Sequence, residues 1–180
     1  MTSDINILIS KSLKGNRSSQ KELYNLFSPA AFAIIKRYIK DDFEAEDILI
    51  ESFIKVFENL NTFKNEGSFG GWVNKIAIRE SLMYLRKNKA FNMFIEVDNI
   101  HIKEPVSSDD NILFEDLLKI LDELPTGYRT VFNLYEIEGY KHHEIAELLG
   151  ISTNTSKSQL RLAKDRLRKL INSKNKINTA

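Results

Sequence analysis

Residues 138–170 read EGYKHHEIAELLGISTNTSKSQLRLAKDRLRKL, and the punctuation of this stretch decides the fold. Ile145, Leu148 and Leu149 recur at helical spacing and predict a short amphipathic helix over 141–149. Ala146 keeps a crossing point small. Gly150 stands four residues later, where the chain must turn and a positive φ is useful. Ser152 is a natural cap for a second helix. That helix has Leu160, Ala163, Leu167 and Leu170 for a buried stripe. Its polar side holds Lys157, Arg161, Lys164, Arg166, Arg168, Lys169, Lys174 and Lys176 against Asp165 alone. Two short helices meeting at a tight turn, the second basic, form the pattern of a helix-turn-helix that docks on DNA. A basic amphipathic helix can also be a plain solvated surface; the Ala-x3-Gly spacing followed by a capped basic helix favours DNA.

In such a motif the N-terminal residues of the second helix reach base edges while flanking groups hold phosphates. The candidates are Thr153, Asn154, Thr155, Lys157, Ser158, Gln159, Arg161 and Lys164. Asn, Gln and Arg can make bidentate base contacts, each contributing ~1–3 kcal/mol of discrimination. Lys157, Lys164 and Arg168 suit phosphates, and the helical stripe leaves Arg161 and Lys164 free to face DNA.

The chain has 180 residues, enough for one domain or two small ones, and 42% are hydrophobic, too many for wholesale disorder. Cysteine is absent, which excludes a disulfide framework and a thiolate metal site. The first twenty residues carry Asp4 and no small-residue cleavage site, unlike a signal peptide. No run approaches the ~18 apolar residues of a membrane span. The expectation is a soluble, cytoplasmic protein without stable membrane insertion.

A net charge of +1 says little, but the distribution says more. Residues 41–58 hold seven acids (Asp41, Asp42, Glu44, Glu46, Asp47, Glu51, Glu58) and one base, Lys55. Residues 64–89 hold six bases (Lys64, Lys75, Arg79, Arg86, Lys87, Lys89) and two acids, Glu66 and Glu80. One acidic face and two basic stretches suit a molecule that touches more than one partner.

Asp4 can cap a first helix over 5–13, ended by Gly15 and Asn16. Ser19 and Glu22 form a capping box for the next, whose apolar positions run from Leu23 to Tyr38. Pro29 predicts a kink or break there, and the helix should end near Asp41. A third helix is expected over 44–60, with Ile48, Leu49, Phe53, Val56, Phe57 and Leu60 in one stripe. After the polar loop 61–67, Ser68 should cap a fourth, to about Lys89. Pro105 and the run Ser107-Ser108-Asp109-Asp110 mark a linker. Further helices are expected over 112–124, stopped by Pro125, and over 128–138, ended by Gly139. No strand alternation and no internal repeat is present. The predicted fold is all-α: a helical domain over 1–90, a flexible linker over 91–111, a four-helix domain containing the helix-turn-helix over 112–172, and a frayed tail over 173–180.

The motifs now on the page resemble the extracytoplasmic-function (ECF) sigma factors of bacterial RNA polymerase. The first block is FEAEDILIESFIKVFENLNTFKNEGSFGGWVNKIAIRESLMYLRK, residues 43–87; the second is LDELPTGYRTVFNLYEIEGYKHHEIAELLGISTNTSKSQLRLAKDRLRKL, residues 121–170. Two blocks in order across a short linker are far more specific than a helix-turn-helix alone. The resemblance implies a protein that binds core RNA polymerase, recognises promoter DNA at a −10 and a −35 element, and helps open the duplex. It also implies control by an anti-sigma factor.

On that resemblance the acidic helix docks on polymerase, through Asp41, Asp42, Glu46, Asp47 and Glu51, with apolar support from Phe53 and Ile54. Charge complementarity there would steer encounter and fix register. The loop and fourth helix take the −10 role, through Phe63, Lys64, Asn65, Ser68, Trp72, Asn74, Lys75, Arg79, Arg86 and Lys87. Capturing an unstacked base needs aromatic or polar walls and cations for phosphates. Trp72 is equally suited to core packing, since Phe69 and Ile76 share its spacing. The family often has Asn where Arg79 stands, Asp where Met83 stands, and Gly-Thr-Val-Lys-Ser-Arg where this chain has Asn154-Thr155-Ser156-Lys157-Ser158-Gln159. Ser156 in place of Val is expected to loosen a packing contact, and base preference does not transfer at these positions.

His101, His142 and His143 lack metal-site spacing, and no catalytic constellation is visible, so no metal, cofactor or enzymatic activity is expected. Two rivals remain at this point. A helix-turn-helix regulator acting without core polymerase explains the second block but not the first. A helical interaction protein without a DNA role is the more remote, and loss of salt-dependent DNA affinity in every context would favour it.

Overall fold

A computed structural model of the chain describes residues 2–88 and 120–178, with side chains for 4–88 and 120–171. Every regular element among the described residues is helical, so the fold is all-α. The chain divides into two compact units, Met1–Tyr84 and Leu85–Ala180. The expected linker and most of the helix expected over 112–124 lie outside the described residues.

The first unit begins with α1 (Thr2–Leu13), α2 (Arg17–Lys36) and α3 (Asp42–Glu58); a 3-10 turn (Leu60–Thr62) leads to α4 (Phe69–Lys87). The starts of α2, α3 and α4 are each fixed by a side-chain oxygen taking a first-turn amide. Asn16 Oδ1 accepts from Ser19 N at 2.9 Å, and Asp41 Oδ1 from Glu44 N at 3.0 Å. Ser68 Oγ accepts from Gly71 N at 3.0 Å, as the sequence predicts. At α2 the cap is Asn16, so the helix opens earlier than the Ser19 box implies. Nor does Pro29 break α2, which runs on through it. Proline costs an interior helix ~3 kcal/mol. Here Leu23, Ala31 and Ile35, all fully buried on both sides of Pro29, hold the helix together by packing. The core of the unit is built by these residues with Tyr38, Ala45, Ile48, Phe53, Val56, Val73, Ala77 and Leu82.

An aromatic group crosses from α2 to α4. Phe69 meets Phe27 at 5.1 Å, Phe63 at 5.2 Å and Trp72 at 5.6 Å between ring centroids. Such pairs contribute ~0.5–1.5 kcal/mol beyond area burial. A Cβ at Gly70 would sit 3.2 Å from the Phe27 ring, so glycine lets that ring close on α4.

In the second unit a helical turn from Ile120 leads to α5 (Thr126–Phe132), a wider π-helical segment (Asn133–Ile137), α6 (His142–Leu149) and α7 (Thr153–Asn178). Pro125, expected only as a stop, also stands at the start of α5. Gly139 ends the π segment with φ 77°, and Gly150 ends α6 with φ 68°. At that turn Ile151 N donates to Ala146 O at 3.0 Å, and Ser152 Oγ accepts from Thr155 N at 2.9 Å. Ile120, Leu121, Leu124, Ala163 and Leu167 form one core cluster, flanked by Tyr128, Phe132, Leu170 and Ile171. The expected tail over 173–180 is corrected: α7 continues to Asn178. Nothing after Ser152 is glycine or proline, so no residue stops the helix.

Candidate nucleic-acid and partner interfaces

At the start of α7, Thr153, Asn154, Lys157 and Arg161 are exposed, while Thr155 and Ser158 are half-buried. Thr155 Oγ1 lies 2.8 Å from Ser152 Oγ, and Ser158 Oγ donates to Thr155 O at 3.0 Å. Two expectations fail here. Gln159 is 2% exposed and belongs to the packing of the unit rather than to base edges. Lys164 is drawn to the π segment, where its Nζ sits 2.7 Å from Glu136 Oε1, so its charge is already paired rather than free. The buried stripe of α7 is Ser156, Gln159, Leu160, Ala163 and Leu167, spaced as one helix face; it includes two polar residues that residue type alone assigns to the surface.

Ser156 has a definite use. Fully buried, it places Oγ 2.9 Å from His142 Nδ1 at the start of α6. The His142 ring stacks on Tyr135 of the π segment, with centroids 4.4 Å apart and planes at 23°. The expected loosening is therefore replaced by a hydrogen bond. Burial, aided by Lys157 and Lys164, holds the His142 imidazole below its ordinary pKa. Arg129, 2% exposed, pairs with Asp122 Oδ1 at 3.1 Å and braces the same unit.

In the loop before α4 and along α4, Lys64, Asn65, Ser68, Lys75, Arg79, Arg86 and Lys87 are exposed, and Phe63, Trp72 and Asn74 half-buried. Asn65 (φ 59°) and Gly67 (φ 129°) shape the loop before α4. Trp72 is half-buried: it packs on Phe63 (5.5 Å) and Phe69, and it also lines a cleft. That cleft, about 450 Å³, lies between the end of α3 and α4 and is lined by Lys55, Asn59, Thr62, Trp72, Ile76, Arg79, Glu80 and Met83. Its volume falls in the ~300–1,000 Å³ range of small-ligand sites. Residue-type reasoning missed Lys55, Asn59 and Thr62, because the α3 terminus and the 3-10 turn approach α4 only in three dimensions.

On α3, Asp41, Asp42, Glu46, Asp47 and Glu51 are exposed. Asp41 also caps the helix, and Asp42 Oδ1 pairs with Lys36 Nζ at 2.6 Å. Ile54 is half exposed, but Phe53 is corrected: it is 3% exposed and packs on Tyr24 at 4.7 Å, inside the core. The apolar residues that do face outward are Phe43 (81% exposed), Ile50 and Ile54, one stripe beside the carboxylates. Phe43 and Ile50 were readable as apolar positions off the buried stripe. Among the described residues no three His, Asp or Glu side chains converge as a metal site, and no described helix is long and apolar enough to cross a membrane.

The family model for sigma-70 region 2 matches residues 23–91, and that for sigma-70 region 4 matches residues 114–167. The chain is 34% identical over 123 residues to the RNA polymerase sigma factor SigV of Bacillus subtilis (strain 168), covering 68% of this chain and 73% of that one. It is 28% identical over 156 residues to the ECF RNA polymerase sigma factor SigE of Mycolicibacterium smegmatis, covering 83% of this chain and 60% of that one. Among solved structures, the sigma factor RpoE of Bartonella quintana, crystallised with the anti-sigma factor NepR, shares the fold with a TM-score of 0.51 at 21% identity, covering 84% of this chain and 96% of that one.

Proposed function

The chain belongs to the ECF sigma factors of bacterial RNA polymerase, transcription initiation factors rather than enzymes, and from that premise we propose how its own surfaces divide the work. Sigma factors bind core polymerase and promoter DNA. In this chain the exposed face of α3 meets polymerase: Asp42, Glu46, Asp47 and Glu51 steer the approach, and Phe43, Ile50 and Ile54 bury against the partner. The loop before α4, with Phe63, Lys64 and Asn65, and α4 itself, with Trp72, Lys75 and Arg79, take the opened −10 strand. The start of α7 reads the −35 duplex through Thr153, Asn154, Lys157 and Arg161, the side chains left outside the buried stripe.

The observation that carries this division is the split on α3, where carboxylates and outward apolar residues share a face that the core does not use. An exposed apolar stripe rimmed by charge marks a protein contact. The complex of the similarly folded RpoE with an anti-sigma factor supports the same partner class for this chain, which we place in the cytoplasm. Run-off transcription with purified core polymerase and a pool of genomic fragments tests the role. Defined start sites that depend on the chain are expected; no chain-dependent start site in a pool that another sigma factor transcribes would refute it.

A further inference from the structure

We infer that the cleft between the end of α3 and α4 holds one unstacked guanine of the opened promoter strand, read from two sides by Arg79 and Glu80. This rests on the −10 role proposed above and adds the base that the cleft selects. Trp72, Ile76 and Met83 supply apolar surface on which a base can lie, and Lys55, Arg79 and Glu80 place both signs of charge around it. An extruded base is identified by its hydrogen-bonding edges while its face stacks on apolar or aromatic groups. A guanidinium matches two adjacent acceptors, and guanine O6 and N7 are such a pair. A carboxylate accepts two parallel hydrogen bonds, and guanine N1–H with the N2 amino group offers the adjacent donors. Adenine, cytosine and thymine each lack at least one of the two pairs. Guanine alone therefore offers a two-bond match to both a guanidinium and a carboxylate in one cleft.

The state of Glu80 agrees with this. Burial raises the pKa of its carboxyl, while Lys55 and Arg79 oppose the rise. A carboxylate already short of water gains more from two fixed donors than an exposed one does. Nearby, Lys55 Nζ lies 2.9 Å from Glu58, and Asn59 Nδ2 donates to Lys55 O at 2.8 Å, so the rim of the cleft carries polar contacts of its own.

The test uses the chain assembled with core polymerase and promoters opened over the −10 segment. Each non-template position carries in turn the four bases, and each guanine is then replaced by inosine, which lacks the N2 amino group, or by 7-deazaguanine, which lacks N7. At one position, guanine should be preferred, and each analogue should reduce open-complex formation about fivefold or more, the scale of ~1–3 kcal/mol per bidentate pair. Glu80→Gln should remove the inosine penalty, and Arg79→Met the 7-deazaguanine penalty. Normal initiation with no guanine-selective position, or analogue penalties untouched by both substitutions, would overturn the inference alone. No initiation on any template would overturn it together with the role it rests on.

Discussion

The two units present polar side chains in different ways. In the first, Lys64 and Lys75 stand exposed, Arg79 lines a formed cleft, and Trp72, packed on Phe63 and Phe69, supplies one wall of it. In the second, much of the helix expected to read DNA is spent on the unit itself. Ser156 bonds to His142, Gln159 is buried, and Lys164 pairs with Glu136. Fewer side chains remain for bases, and they cluster in the first turns of α7. Exposure, set by the burial period of the helix, decides which polar residues can be read out; residue type does not.

The sharpest way to break this comparison lies on α3, where neighbours have opposite duties. Phe53→Ala should cost the first unit ~3–5 kcal/mol through lost packing and the cavity left behind, visible in denaturant unfolding. Phe43→Ala should leave stability nearly unchanged and weaken capture of core polymerase in a pull-down. Equal stability losses from the two would erase the distinction between buried and outward faces.

Gln159 and Asn154 make the same contrast in the second unit with a smaller effect. Gln159→Ala should destabilise by ~1–3 kcal/mol, as for a buried polar group whose setting is disrupted, and keep the −35 base preference. Asn154→Ala should do the reverse in a selection from randomised −35 sites. A changed preference from Gln159→Ala would return that residue to the DNA surface.

Smaller again is the difference between two cations on α7. Arg161→Ala should reduce the salt slope of promoter binding by the polymerase complex by ~1, the loss of about one phosphate contact. Lys164→Ala should leave the slope nearly intact, because its charge is already paired with Glu136.

The least effect comes from His142. Its folded pKa is depressed by burial, so the unfolded chain binds the proton more readily. The associated stability is present above the ordinary histidine value of ~6.5, and it declines as pH falls from there towards the lower folded pKa. His142→Gln should therefore flatten the fall in melting temperature of the full chain between about pH 7 and pH 5. An unaltered pH profile would show that the stack on Tyr135 tolerates the charged ring.

Periodicity made the helices legible, and Ser68, Ser152 and Gly150 marked their ends correctly because caps and turns are local chemistry. Pro29 misled because its cost is local while the packing of Leu23, Ala31 and Ile35 is tertiary. The outward stripe of Phe43, Ile50 and Ile54 was present in the spacing of α3. The π segment was not, since its use depends on where Tyr135 meets His142 and Glu136 meets Lys164. The cleft was half legible: α4 supplied Trp72 and Arg79, but Lys55, Asn59 and Thr62 reach it only through the turn after α3.

The division of labour is tested most directly by titrating one promoter duplex with the chain alone and with the chain bound to core polymerase, at several salt concentrations. With few base-reading side chains on α7, tight and sequence-selective binding is expected only in the presence of polymerase, and weak, strongly salt-dependent binding without it. Equally tight and selective binding by the chain alone would contradict the account and favour a regulator that works without polymerase.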